Sequence, residues 1–378
     1  MIRQLQLIKV WYLNDWGIYK RRDERLCRGF AEHPDIEKVI HLEPPLEKHV
    51  EKGHAMPAGQ PQFENNIITY TPVVAPVIDI MRDLLARFEA WNVDPRRAIL
   101  WLNAPSAFVD EILTFFGDLF FIRIVEIVDD QRYYAPEGSD LFKKIEKSYQ
   151  FSIRKADLLV SNSKKAINDF SKWCQHVLYL PNAVDINEHL YPVEILPSPN
   201  WMEWTGKRMG YVGNLNLRLR FDLFEAIASH FPECQLVIVG DKSNGFPNII
   251  QSLPNVVTPG RIDPIHVSWF LKQCDGLLLP HVETPLTESM DPLKMYEYLA
   301  SGKPIIATPV AGAREWSDRI EIASSVEETL NAVYRVFKGE SSGSAQQRRS
   351  AIAGQTWQSR VETIMRSINQ MRAANSNQ

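Results

Sequence analysis

Two doubly wound α/β halves are the architecture this sequence predicts, and three observations predict it. Short apolar runs alternate with amphipathic helical stretches almost throughout, the pattern of a parallel sheet covered on both faces. A stretch without period, 186–206, breaks the rhythm with Pro192, Pro197 and Pro199. At 378 residues the chain has length for two or three domains.

The elements follow in order. In the first half, runs at 5–12, 39–42, 67–70, 99–102, 122–128, 158–160 and 177–180 read as strands. Helical spacing fills 22–32, 77–91, 141–156 and 164–173, and 43–65 reads as a long loop. The second half restarts with strands at 209–212, 236–239, 256–258, 277–279, 305–307 and 321–323. Its helices are expected at 221–229, 265–273, 293–300 and 326–337. A Gly/Ser-rich break at 339–345 precedes a last helical run near 357–371. The expected division is a first domain 1–186, a linker 187–206, a second domain 207–355, and a terminal helix and tail 356–378. Ligands of such sheets bind beyond the carboxyl ends of the strands, so two facing domains imply a cleft.

Composition narrows the function classes. Lysine and arginine number 42 against 46 acidic residues, a net charge of −4, which argues against nucleic acid as the partner. Cys27, Cys174, Cys234 and Cys274 show neither metal nor disulfide spacing, so no metal site is expected. The sequence has no apolar run of about 18 residues and no signal-peptide pattern. The expectation is a cytoplasmic protein, with peripheral contact at the inner face of a membrane left open.

The stretch 289–308, SMDPLKMYEYLASGKPIIAT, carries the most chemistry. Pro292 suits a helix start, Gly302 a helix stop, and 305–307 a buried strand. Lys294 and Glu297, three apart, share a face one turn into that helix. A cation, a carboxylate and free N–H groups suit an anionic ligand bearing hydroxyls, although an exposed Lys–Glu pair is the plain alternative. Upstream, GYVGNLNLR (210–218) puts Gly213 after a strand, where a phosphate can approach the backbone, with Asn214 and Arg218 as polar partners. Arg261 and Ile262 follow the next strand but one, and Gly312 precedes a later helix. In the first half, 122–130 is a strand ending in Asp129 and Asp130, either of which could take a proton from a hydroxyl or cap a turn. The basic run at 19–28 could meet an anionic acceptor, or be the solvated face of a helix.

With those residues in view, the chain resembles the two-domain glycosyltransferases of the GT-B fold, group 1 (family 4). It is most similar to members in teichuronic acid and exopolysaccharide synthesis. GYVGNLNLR, LVIVG, DGLLLP, DPLKMYEYLASGKPIIAT and VAGARE stand in the family's order over 205–320, and VEIVDD, ADLLVSNS and YLPNAVD match over 95–185. The resemblance implies two Rossmann-like domains across a cleft, with the terminal helix crossing back to the first. It implies sugar transfer from a nucleotide-diphosphate sugar to a glycan or lipid-linked acceptor, without a cofactor or a metal. Glu297 would bind the ribose, and Lys294, Gly213 and Arg218 the pyrophosphate. The backbone at Arg261 and Ile262 would face the base, and Gly312 the phosphates or sugar.

Two departures bear on stereochemistry. Retaining members place a second glutamate eight positions before the one at 297, where this chain has Ser289, with Glu288 one residue away. Asp129 replaces a histidine that such members carry. Both features look like relatives with a Pro-x-Lys signature, some of which invert with an aspartate base; inverting and retaining outcomes both stay open. Two other classes remain: a nucleotide-sugar 2-epimerase of the same architecture, and a non-catalytic nucleotide-sugar-binding partner.

Overall fold

The computed structural model describes residues 4–11, 13, 16–45, 58–242 and 246–376. It divides into two compact units, 1–181 with 357–378, and 182–356. In the first, β1 (Leu5–Val10), β2 (Ile36–Leu42), β3 (Gln62–Glu64), β4 (Ile67–Tyr70), β5 (Ala98–Asn103), β6 (Ile122–Ile127), β7 (Leu158–Ser161) and β8 (Val177–Tyr179) form one sheet. Its order is β3-β4-β2-β1-β5-β6-β7-β8. All neighbours are parallel except β3, which closes the edge antiparallel to β4. β1 and β5 are buried at every residue, as strands covered by helices on both faces must be.

The second unit repeats the plan with β9 (Arg208–Val212), β10 (Gln235–Val239), β11 (Val256–Gly260), β12 (Gly276–Leu279), β13 (Ile305–Ala307) and β14 (Glu321–Ile322). The order β11-β10-β9-β12-β13-β14 is that of a dinucleotide-type doubly wound sheet. Side-chain alternation sorts its core in two. Val237, Val239, Leu277, Leu279 and Ile305 pack with the helices Val267–Lys272 and Leu293–Ser301. Leu236, Ile238, Leu278 and Ile306 pack on the other face with Phe221–His230 and Val326–Lys338.

The structure departs from expectation where tertiary contacts override local composition. The stretch expected as a linker belongs to the second unit and folds into a helix, Ile186–Leu190, and a 3₁₀ turn, Asn200–Glu203. Trp201 anchors it, with its ring 6.0 Å from those of both Trp269 and Phe270. Helices Ala107–Phe115 and Ala345–Ile352, absent from the expected list, complete the two units. Within the long 43–65 stretch, Gln62–Glu64 is a strand, held where Arg28 pairs with Glu64 at 2.7 Å. Residues 46–57 of that stretch, and 12, 14 and 15 near the first strand end, lie outside the described residues. The terminal helix, Trp357–Ser376, lies in the first unit, where Arg360 donates to the Pro181 carbonyl at 2.8 Å. Among the described residues no helix is long and apolar enough to cross a membrane.

The basic run at 19–28 is neither a solvated face nor a free anion site. Arg22 is buried, donating to Glu126 of β6 at 2.8 Å and to the Leu180 carbonyl at 2.8 Å. Glu126 also meets Lys9 of β1 at 3.0 Å, and Lys9 meets Asp23 at 2.8 Å. Burial opposes ionisation of this group, but the charges outweigh it: Lys9 and Arg22 hold Glu126 below the carboxylate range, and Lys9 and His41 do so for Asp23. Asp23, Cys27 and His41 bring ligand-type atoms within 4.8 Å, a grouping the sequence spacing does not announce. Lys9 and His41 Nδ1, at 2.8 and 2.9 Å, already occupy the Asp23 oxygens, and burial pushes the Cys27 thiol well up, which disfavours the thiolate a metal needs.

Removing one partner from so enclosed a set leaves an uncompensated buried charge. Lys9→Met is expected to cost the first unit about 3–5 kcal/mol at pH 7. Because Asp23 and Glu126 have depressed values, their stabilisation is present above about pH 4 and lost as pH falls further. The deficit should therefore shrink toward pH 3, which chemical denaturation across pH would measure.

Candidate active site

Winding in the second sheet reverses between β9 and β12: β10 and β11 lie to one side of β9, β13 and β14 to the other. Loops leaving neighbouring strands at such a point part company and open a crevice at the carboxyl ends. Three segments meet there: Gly213–Arg220 after β9, the run from Pro280 after β12, and the first turn of the Leu293–Ser301 helix.

Gly213 is the pivot. Its φ of +146° is rarely open to other residues, and a Cβ there would stand 2.3 Å from Lys294 Nζ. The bare backbone lets Lys294 lie over the strand end, where its ammonium donates to the Tyr211 hydroxyl at 2.8 Å and sits 4.4 Å from that ring's centre. One turn along the same helix, the Tyr298 hydroxyl accepts the Val212 N–H at 3.1 Å, tying helix to strand. Arg218 donates to Asn216 Oδ1 and touches Met290 Sδ. Neither Arg218 nor Lys294 has a carboxylate within ion-pair distance among the described residues. Desolvation, then the charge of Arg218, lowers the Lys294 pKa to about 7 against the pull of Glu297. His281, just beyond β12, is buried with Nδ1 unpartnered, and desolvation with the Lys294 and Arg218 charges pushes its pKa well down. The site is therefore an electropositive pocket of backbone, cations and a neutral imidazole, suited to an oxyanion.

The other expected residues divide. Glu297 is half-buried one turn beyond the helix start, on the face it shares with Lys294. Asn214 is exposed in the Gly213 loop and gives its carbonyl to the Tyr211 hydroxyl at 3.3 Å. Arg261 and Ile262 follow β11, whose Gly260 carbonyl accepts from the Gly240 N–H at 2.9 Å, holding that loop beside the end of β10. Gly312 packs on the Pro292 ring; a Cβ there would stand 2.2 Å from Cδ, so its smallness fixes the start of the Lys294 helix. Ser289 is fully buried and its hydroxyl donates to the Leu286 carbonyl at 2.7 Å, a helix-end contact. Glu288, one residue away, is clamped by Arg314. Asp291, which sequence reasoning left aside, accepts the Asn182 N–H at 2.6 Å and the Tyr296 hydroxyl at 3.1 Å, bracing the same helix start.

In the first unit, β6 delivers Asp129 half-buried, its carbonyl accepting from the Tyr149 hydroxyl at 3.2 Å. Asp130 is a different group: fully buried, it caps the 3₁₀ turn Gln131–Tyr134 and is gripped by Arg132, with the closest contact 2.7 Å. As second candidate for a base it is displaced by that structural work, since proton transfer there would break a buried ion pair.

Residues 206–338 match the family model described as Glycosyl transferases group 1. That match lies within the second unit. Within a 104-residue match the chain is 32% identical to the Bacillus subtilis (strain 168) protein named as a teichuronic acid biosynthesis glycosyltransferase, TuaH. That match spans 26% of each protein, so the chain matches about a quarter of the relative's length. The whole fold is similar to sucrose-phosphate synthase from Thermosynechococcus elongatus, with a TM-score of 0.73 and 14% identity over 98% of this chain and 100% of that one. It is also similar to Anabaena Alr3699/HepE, solved with UDP and glucose, with a TM-score of 0.65 and 14% identity over 97% and 100%. The fold is thus GT-B; at these identities the likeness speaks to fold alone.

The depressed Lys294 value has a consequence for stability. Between about pH 7 and the ordinary lysine range the unfolded chain holds a proton that the folded one lacks, so this group's penalty is largest at low pH and fades as pH rises. Lys294→Met should raise the second unit's melting temperature at pH 6 by roughly 2–4 °C, the shift that about 1 kcal/mol gives at this size. The gain should diminish by pH 9. Calorimetry at the two pH values tests this; a gain that grows with pH would contradict the assignment.

Proposed function

We propose that the chain transfers a sugar from a nucleoside-diphosphate sugar to a hydroxyl of a glycan or lipid-linked acceptor, in the synthesis of a cell-surface polysaccharide. The observation that carries this reading is the convergence of Lys294 and Arg218 beside the backbone of Gly213, at the point where the sheet reverses. Two cations with no carboxylate in ion-pair distance among the described residues, at a place where burial lowers the proton affinity of Lys294, are arranged for an anion. Lys294 and Arg218 offer a diphosphate the countercharge that a divalent metal supplies elsewhere, so the reading includes metal independence. Glu297 offers two acceptor oxygens to a ribose diol. UDP is the first nucleotide to test, since it is the one bound to Anabaena HepE.

If so, Lys294→Met should weaken a nucleoside diphosphate by about 1.5–3 kcal/mol, the range for a hydrogen bond to a charged group, and leave the nucleoside nearly unchanged. Glu297→Gln should weaken both, because an amide has one acceptor oxygen for two hydroxyls. Titration calorimetry with UDP and uridine, with and without magnesium, reads both effects. Strict magnesium dependence, or equal losses for the two ligands in Lys294→Met, would remove the reading.

For the transfer step, Asp129 is the carboxylate that remains once Asp130 is accounted for by Arg132. Ser289 and the clamped Glu288 leave the position eight before Glu297 without an available carboxylate, which favours an inverting displacement with a base over the retaining route. Asp129→Asn is expected to lower turnover by about 10²-fold or more at nearly normal donor affinity. Anomeric configuration of the product by NMR, with the variant's kinetics, is the check. Retention, or near-normal turnover, would exclude Asp129 as the base. Release of sugar only when acceptor is present distinguishes transfer from epimerisation and from binding without chemistry.

A further inference from the structure

We infer that Tyr211 is a positioning residue for the diphosphate, holding the Lys294 ammonium above Gly213 without neutralising it; the inference rests on the donor-site reading above. Tyr211 is 1% exposed, and its ring packs edge-on against Phe224 at 5.6 Å, so the phenol is fixed by the core and not by the ligand. Its hydroxyl faces two groups. It donates to the Asn214 carbonyl at 3.3 Å, and it accepts from Lys294 Nζ at 2.8 Å. With the phenolic hydrogen committed to the backbone, the oxygen presents a lone pair to the ammonium, and burial, by raising the phenol's pKa, keeps that hydrogen in place.

The choice of partner matters. A carboxylate at this distance would hold the ammonium equally well and cancel its charge. A neutral phenol orients the cation, occupies one of its three N–H donors, and leaves two donors and the whole charge for an incoming phosphate. Tyr298 completes the device from the other side, its hydroxyl taking the Val212 N–H and setting the distance between helix and strand. The groups that face Lys294 are Tyr211 from β9, Arg218 from the following loop, His281 beyond β12, and Glu297 on its own helix. Three of these are neutral or cationic, so a proton taken up at Lys294 when the diphosphate binds is stabilised by the ligand.

The test compares wild type, Tyr211→Phe and Gly213→Ala, with folding of each checked by circular dichroism and melting. Gly213→Ala reaches the same point by another route, because its Cβ would occupy the ammonium's place. Calorimetry uses UDP, ADP and GDP, the tightest being carried forward with its nucleoside. Lys294 reactivity toward acetic anhydride, read by mass spectrometry across pH, follows the ammonium in the absence of ligand. Tyr211→Phe is expected to weaken the diphosphate about tenfold with the nucleoside within about twofold. Loss of the acceptor should also move the labelling midpoint to lower pH. An unchanged midpoint, or equal weakening of diphosphate and nucleoside, would overturn the role of Tyr211 while the donor site stands. Failure of wild type to bind any of the three diphosphates would overturn the donor-site reading and this inference together.

Discussion

A parallel sheet wound on both faces has to change direction once, and the second unit is organised around where it does so. The reversal between β9 and β12 brings strand ends and a helix start together at one carboxyl edge of the sheet. Everything distinctive nearby follows from keeping that edge open. Gly213 removes a side chain, Gly312 lets the Pro292 turn come close, and Asp291 with Asn182 fixes the helix that carries Lys294 and Glu297. The electropositive character is a result of this geometry: cations are held at a strand end where neighbouring backbone offers N–H groups and few acceptors.

The first unit meets the same topological demand differently. Its strand ends near β1, β5 and β6 are closed by a buried set of opposite charges, Lys9, Arg22, Asp23 and Glu126. Such a set is a poor source of net stability compared with apolar packing, because desolvation offsets most of the attraction. Its merit is directional. Each bond requires a particular strand register, so β1, β6 and the Arg22–Ala31 helix are locked in one arrangement. Among the described residues, one unit thus has a neutralised strand-end cluster and the other an unneutralised one.

Much of this was legible in the chain. The alternation of apolar runs and helical spacing placed every strand longer than three residues, because buried parallel strands leave a dense β-branched signal. That Lys294, Gly213, Arg218 and Glu297 lie near one another could be read from the sequence, because charge and glycine stand out against apolar surroundings. Tyr211 and His281 were not legible, since an aromatic within a strand and a lone histidine after one both read as core. Lys9 and Glu126 were the signal that went unread: a full charge inside an apolar strand run is rare without a partner, and the two predict one another. The stretch 187–206 misled because proline content outweighed Trp201, whose packing partners lie about seventy residues on and leave no local trace. Asp130 and Ser289 misled in the opposite sense, since adjacency in sequence cannot tell a group aimed at substrate from one engaged by Arg132 or a helix end.

The path of the chain through its two units has a bearing on synthesis. The first unit begins with β1 but is completed by the Trp357–Ser376 helix, whose Val361, Ile364 and Ile368 are buried there. The second unit is continuous, from Asn182 to Thr356. A ribosome therefore releases all of the second unit before the first can close its core. The emerging chain must carry an unfinished first core, with the apolar flank beside the Arg22–Ala31 helix uncovered, for the time it takes to translate some 175 residues, on the order of ten to thirty seconds. The part that is made first is the part that finishes folding last.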